Sequence, residues 1–379
     1  MNDTTQALIQ WTQGETPLSA HWYCERGDAP PKRVRIVDDT ITADVAYRLV
    51  SNNTALLYQG DFNNARQLLQ AMTRRADKKG GSGKTFAEHR QAQQRRARAL
   101  SQLLVQVNAD YSVPLGRAPD VTAACTHAWG AARAEGRVVA LRELLGVMSA
   151  FEWRKKGVEI PALGSPPNNR IYPHYGVFSP VRGEYINLVA TTPLPVCKQM
   201  PFIAFDVGTG TGVLAGVLAR RGLTHIIATD QDPRALACAR ENIAKLGVAK
   251  HVNIIATPLF PQGKAALIVC NPPWLPAKPS APIERAVYDE NSQMVLAFLN
   301  GLSGHLAPDG EGWLILSDLA EHLGLRTREW LLSAIASAGL KVVGRVDTAP
   351  HHPKAADADD PLHAARAAEI TSLWRLVVL

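Results

Sequence analysis

Hydrophobic and polar positions follow two different rhythms along the chain, and the change comes near residue 165. Before it, apolar residues recur at mixed spacings of three and four over 43–57, 64–75, 87–107, 121–135 and 138–153. That interval lines one face of an α-helix. Asn63 and Asp120 stand where side-chain caps would start two of these helices. Strand signals are sparse, so residues 1–164 read as a mostly helical recognition or accessory domain. Residues 161–169 hold three prolines, a glycine and two asparagines, the composition of a linker.

After that point short apolar runs alternate with helical ones. Strands read at 202–206, 225–230, 252–255, 266–270, 312–317, 341–346 and 372–378, with helices at 212–221, 233–246, 291–306 and 325–338. The alternation predicts an α/β fold with a mainly parallel sheet over residues 165–379. Such sheets bind ligands beyond the carboxyl ends of their strands, where the strand order reverses.

Three motifs fall at those ends. Asp206-Val-Gly208-Thr209-Gly210-Thr-Gly212 runs from a strand through a glycine-rich turn into a helix. Glycine permits positive φ and close backbone approach. A dinucleotide fingerprint would need its third glycine at position 213, where Val213 stands. Asp230 ends the next strand, where a carboxylate can accept both hydroxyls of a ribose. Gln231 follows it, and Asp232-Pro233 has the chemistry of a helix start. Asn271-Pro272-Pro273-Trp274 follows the fourth strand. Its two prolines stiffen the turn and carry no N–H. Carbonyl oxygens and the Asn271 amide would then face a donor such as a planar amide or amine, and Trp274 offers a flat surface for stacking.

Composition narrows the classes. The chain has 379 residues, 46% of them hydrophobic and 20% charged, which suits a packed globular protein. No apolar run approaches the roughly 18 residues that span a bilayer. Residues 1–5 lack the charged-then-apolar pattern of a secretory signal. The expectation is a cytoplasmic protein with no membrane partner. Cys24, Cys125, Cys197, Cys238 and Cys270 are odd in number and contain no C-x-x-C, so they read as small buried apolar residues. His351-His352 has no third ligand at a recognisable spacing, and no metal is expected. The run 80–85 imitates a phosphate-binding loop, but Lys78 occupies the place of its first glycine and no strand leads into it. It reads as a flexible linker. The net charge of +7 is concentrated in residues 74–98, which carry nine basic and two acidic side chains. Such a segment suits either a solvated helix face or an RNA.

The spacing D-x-G-x-G-x-G resembles motif I of class I S-adenosylmethionine (SAM) methyltransferases. Asn-Pro-Pro-aromatic resembles motif IV of those that modify a nitrogen on an sp² carbon. Residues 165–379 as a whole resemble the Asn-Pro-Pro-Tyr class, and within it the HemK-type protein-glutamine methyltransferases. The run 176–185, with Phe178, Pro180, Glu184 and Tyr185, looks like that family's substrate-side segment. The resemblance implies a seven-stranded Rossmann-like domain that uses SAM and releases S-adenosylhomocysteine. It implies that Asp206, Gly208, Thr209, Gly210, Gly212, Asp230, Gln231 and Asn271 surround the cofactor. Asn271, Pro272 and Trp274 would carry catalysis by orienting the accepting nitrogen. The implied acceptor is a protein glutamine-type amide. The alternatives are an RNA or DNA amine (adenine N6 or guanine N2), and a non-catalytic binding module that keeps the fold. The partner would be a protein, or the ribosome or its RNA. Trp274 replaces the family's usual tyrosine, and residues 256–260 lack the family's carboxylate beside the adenine. The first 160 residues exceed the family's small helical recognition domain. Glu284 and Tyr288, beyond Trp274, are further candidates for substrate contact.

Overall fold

The computed structural model describes residues 7–80, 85–132, 134–181, 183–196, 201–350, 357 and 360–379. Cys197, His351, His352 and residues 81–84 of the glycine-rich loop lie outside the described residues. The chain forms two units, Met1–Glu152 and Trp153–Leu379.

The first unit runs β1 (Leu8–Gln13), β2 (Thr16–Trp22), β3 (Val34–Val37), α1 (Ala43–Ser51), β4 (Ala55–Tyr58), α2 (Phe62–Gly80), α3 (Phe86–Leu100), β5 (Leu103–Val107), α4 (Thr122–Trp129), β6 (Arg137–Ala140) and α5 (Leu141–Lys156). Its strands join in one sheet of order β1-β2-β6-β5-β4-β3. This corrects the reading of a mostly helical domain: the helices are present, but they accompany a six-stranded sheet. For the central strands β4 and β6 the reason is burial on both faces. All four residues of β4 and of β6 are buried, which erases the two-residue alternation that marks a strand. Each also adjoins a helix, so the apolar run of β4 merged with α1, that of β5 with α3 and that of β6 with α5. Ile9, Trp11, Leu57, Leu104 and Val138 make a core on this sheet. The cap of α2 is Asp61 rather than Asn63: Asp61 Oδ1 accepts from the N–H groups of Asn63 (2.9 Å) and Asn64 (3.2 Å). Asp120 does hold the start of α4, accepting from Thr122 N at 2.9 Å.

The second unit runs β7 (Val158–Glu159), β8 (Arg170–Ile171), α6 (Glu184–Thr191), β9 (Ile203–Val207), α7 (Val213–Arg220), β10 (His225–Asp230), α8 (Pro233–Lys245), β11 (Val252–Ala256), β12 (Ala265–Cys270), α9 (Gln293–His305), β13 (Leu306–Ser317), α10 (Leu319–His322), α11 (Arg328–Ser337), β14 (Leu340–Thr348), α12 (His363–Ala367) and β15 (Thr371–Val378). Seven strands form the expected α/β sheet, in the order β11-β10-β9-β12-β13-β15-β14. The first five are parallel, and β15 runs antiparallel to both of its neighbours. The order reverses between β9 and β12, so their carboxyl ends flank the ligand crevice of this fold. Apolar layers cover both faces, one including Leu214, Val217 and Trp313, the other Phe205, Phe298 and Leu299. The expected linker is part of this unit. Ile160 and Leu163 are buried in the first of those layers, because Pro161 opens a turn of 3₁₀-helix over Pro161–Leu163 rather than an extended spacer. Among the described residues no helix is long and apolar enough to cross a membrane.

Leu104 is fully buried in the sheet of the first unit. Leu104→Ala should lower stability by roughly 2–5 kcal/mol, read as a fall in the urea midpoint. An unchanged midpoint would contradict this placement of β5.

Candidate cofactor and acceptor site

The turn after β9 depends on three glycines in the left-handed region, with φ of 74° at Gly208, 55° at Gly210 and 81° at Gly212. Their missing side chains do different work. A Cβ at Gly208 would meet Met294 Cε at 2.9 Å, and one at Gly212 would meet Ala239 of α8 at 3.2 Å. A Cβ at Gly210 would meet nothing within 4 Å. The outer glycines therefore admit neighbouring helices, and the middle one opens on free space. The amides of the turn are largely engaged: Gly208 N and Thr209 N donate to Thr229 O (2.9 and 2.8 Å), and Gly210 N donates to Asp230 Oδ2 at 3.0 Å. What the turn offers a ligand is room.

Asp206 is buried beneath this turn. Its Oδ2 accepts from Thr209 Oγ1 at 2.6 Å and from Ala215 N at 3.0 Å. It was expected among the residues lining the cofactor. In the structure its Oδ2 secures the turn and the start of α7. Burial pushes its pKa up to about 6 against the pull of those two hydrogen bonds. A second anchor, Asn242 of α8, is fully buried. Its Nδ2 donates to Thr211 O at 3.0 Å and to Tyr172 O at 3.4 Å, and its Oδ1 accepts from Tyr172 N at 2.8 Å. The only sequence signal for it is an amide on the apolar face of a helix.

Asp230 is half-buried at the end of β10. Its Oδ1 accepts from Asp232 N at 2.9 Å while Oδ2 accepts from Gly210 N. Each oxygen keeps a lone pair, which fits the two hydroxyls of a ribose. Gln231 is exposed beside it, and Asp232 caps α8 as its sequence indicates. The run 256–260 at the end of β11 holds no carboxylate. Thr257 N donates to Asp230 O at 3.0 Å, and Phe260 stacks on His305 with ring centroids 4.4 Å apart.

The turn after β12 is pinned from three sides. Asn271 Oδ1 accepts from the Trp274 indole N–H at 2.9 Å, which fixes which way the amide points. Trp274, expected as a free stacking surface, is half-buried against both apolar layers. Leu275 N donates to Val287 O and Asp289 N donates to Leu275 O, at 3.1 and 2.9 Å. Arg326 donates from Nη2 to Trp274 O and from Nη1 to Ser292 Oγ, both at 3.3 Å. Asp289 in turn accepts from Met294 N at 2.9 Å and Val295 N at 3.3 Å, which secures the start of α9. Asp289, Ser292 and Arg326 are buried polar residues that periodicity does not single out. Their one signal is Asp289 and Ser292 standing just before a helical run. Glu284 Oε2 accepts from Ser280 N at 2.8 Å within its own loop, and Tyr288 forms a backbone bridge with Leu275.

In the run 176–185 the candidates separate by burial. Pro180 and Tyr185 are buried, Phe178 is exposed and Glu184 is half-exposed at the start of α6. Burial, then the charge of Asp206, pushes the Tyr185 hydroxyl above its usual range. Among the described residues no group of three His, Cys, Asp or Glu side chains is arranged to hold a metal.

Asp206 sets a pH dependence. An acid that holds its proton to about pH 6 in the fold, against 3.8 as the ordinary value, favours the folded state at low pH. That contribution is lost as pH rises through 6. Wild type should therefore lose roughly 3 kcal/mol relative to Asp206→Asn between pH 3 and pH 7, measured by chemical denaturation. Parallel stability curves would contradict the buried, proton-holding carboxyl.

Residues 169–327 match the family described as the Methyltransferase small domain. The chain is 37% identical over 120 residues to a release factor glutamine methyltransferase of Cereibacter sphaeroides, covering 28% of this chain and 43% of that protein. It is 34% identical over 144 residues to a ribosomal protein L11 methyltransferase of Pelotomaculum thermopropionicum, covering 37% and 39%. The chain thus spans less than half the length of these curated relatives. A solved methyltransferase from Pyrococcus furiosus is similar at 16% identity and a TM-score of 0.41, covering 61% of this chain and 98% of that one. The matched segment, residues 169–327, contains the glycine turn, Asp230 and the Asn271 turn.

Proposed function

We propose that the second unit is a SAM-dependent methyltransferase acting on a planar amide nitrogen, that of a glutamine-type protein side chain. The observation that carries this reading is the convergence of three features at adjacent strand ends. They are Asp230 after β10, the open Gly210 turn after β9, and Asn271 after β12. Asp230 suits the paired hydroxyls of a ribose, and the space at Gly210 suits the remainder of the cofactor. When bound, SAM supplies a methyl group already activated on a sulfonium. The chain itself has to present the nitrogen. Asn271 Oδ1, with the lone pair that Trp274 leaves, and the carbonyl of Pro272 would accept its N–H bonds. Such acceptors orient a weak nucleophile and stabilise the positive charge developing on it. Orientation alone lowers barriers by up to ~7–11 kcal/mol. The nitrogen gains the methyl and releases one N–H proton to solvent, so no buried base is required. The named relatives, one for release factor glutamine and one for ribosomal protein L11, support a protein acceptor, free or on the ribosome. A cytoplasmic setting belongs to the same reading, supported by the buried free thiols Cys125, Cys238 and Cys270.

Asp230→Ala should weaken SAM binding by ~1–3 kcal/mol in calorimetry. Asn271→Ala should keep that affinity and lose ~10²–10³ in methyl transfer. Equal SAM affinity in wild type and Asp230→Ala would remove the cofactor assignment.

One observation favours an RNA acceptor as the second reading. In the basic segment, Arg75 pairs with Asp44 and Arg96 with Asp77, both at 2.6 Å. Arg74 and Lys78 on α2, with Arg95 and Arg98 on α3, are exposed and have no ion pair among the described residues. If they hold single-stranded RNA, affinity should fall with salt at a log–log slope of about −0.7 per phosphate contact. Replacing Arg95 and Arg98 with Gln should flatten that slope and leave SAM binding unchanged. No retention of RNA on a filter at low salt would eliminate this reading.

A further inference from the structure

We propose that Arg326 is the positioning residue that sets the acceptor turn against the cofactor turn. This assignment rests on the methyltransferase reading above. Arg326 is only 7% exposed, and burying a guanidinium is costly unless its donors find partners. Two of its donors go to groups far apart in sequence, Trp274 O in the acceptor turn and Ser292 Oγ at the head of α9. The planar fork of an arginine can hold two such acceptors at a fixed separation, which a lysine ammonium does less well. The guanidinium also lies 5.7 Å from the Trp330 ring, which restrains it from α11.

Both groups it grips lead to reacting positions. Trp274 is the residue whose indole N–H holds Asn271 Oδ1. Ser292 immediately precedes the turn of α9 that begins with Gln293 and Met294. Met294 Cε in turn occupies the space left by the missing side chain of Gly208. Asp289 closes the bracket, tied to Leu275 O through its own N–H and to the first amides of α9 through its carboxylate. Asn291 and Ser292 are held in the left-handed region, with φ of 58° and 55°. For residues with side chains this conformation has an energetic cost and persists where its surroundings dictate it. A continuous set of contacts therefore joins Asn271 to Gly208, and Arg326 fastens its middle. Arg326 touches neither ligand in this account. It acts through Trp274 and Met294.

The test uses the full chain, tritium-labelled SAM, and separate ribosome and soluble-protein fractions as acceptors. Arg326→Met should lower kcat by about tenfold to a hundredfold while the KM for SAM stays within about twofold. Arg326→Lys, which keeps the charge and protects folding, should fall between it and wild type. In protein labelled with 5-fluorotryptophan, the ¹⁹F line lost in Trp274→Phe should shift or broaden in both Arg326 variants. A merely structural role would change melting without the split between kcat and KM. Wild-type kcat in Arg326→Lys together with an unmoved Trp274 line would overturn the assignment of Arg326 alone. A wild type that binds no SAM and labels no fraction would overturn the methyltransferase reading, and this assignment with it.

Discussion

The site rests on a carboxylate placed where a charge is expensive. Asp206 is sealed under the glycine turn, and burial opposes its ionisation strongly enough to raise its pKa to about 6. Its hydrogen bonds from Thr209 and Ala215 offset part of that cost and join strand, turn and helix in one rigid corner. Asn242 adds a second tie, binding the turn at Thr211 to the segment that precedes β9. With both in place, Gly208 and Gly212 can be packed against helices while Gly210 stays open. A turn held only by its own backbone would lack that combination of tight packing and free space.

A second corner, after β12, follows the same logic with different chemistry. Prolines 272 and 273 limit the backbone, and the indole of Trp274 decides the orientation of the Asn271 amide. Arg326 and Asp289 then anchor the turn to α9. Because α9 also meets Gly208, the two corners are mechanically related rather than merely adjacent. Transfer between two bound groups is sensitive to separation on the scale of an ångström, so such a relation has direct chemical value.

The parts of this architecture legible in the sequence share a physical origin. Gly208, Gly210, Gly212, Asp230 and the Asn-Pro-Pro run sit at strand ends, where backbone demands leave distinctive residue types. The seven strands of the large sheet were readable as short apolar runs bounded by helices or turns, whereas β7 and β8, of two residues each, were too short to register. In the first unit β4 and β6 were hidden because they are short, buried on every residue and fused to helices, so helical periodicity absorbed them. Asp206 was visible as a motif residue, but its inward role was not, since sequence does not tell which way a carboxylate points. Arg326 and Asn242 were not visible because each acts through contacts distant in the chain, and Asp289 left only the signal of an acid shortly before a helical run. Trp274 was legible as an aromatic, while its service as a hydrogen-bond donor to Asn271 depends on a turn geometry that only the fold supplies.

Hydrogen–deuterium exchange of the full chain, with and without S-adenosylhomocysteine, tests the central claim most directly. The account predicts slowed exchange in peptides that contain Gly208 to Gly212 and Asp230 to Asp232, with the peptides of β4 and β5 in the first unit unchanged. Binding that leaves both second-unit segments unprotected, or protects only the first unit, would contradict it.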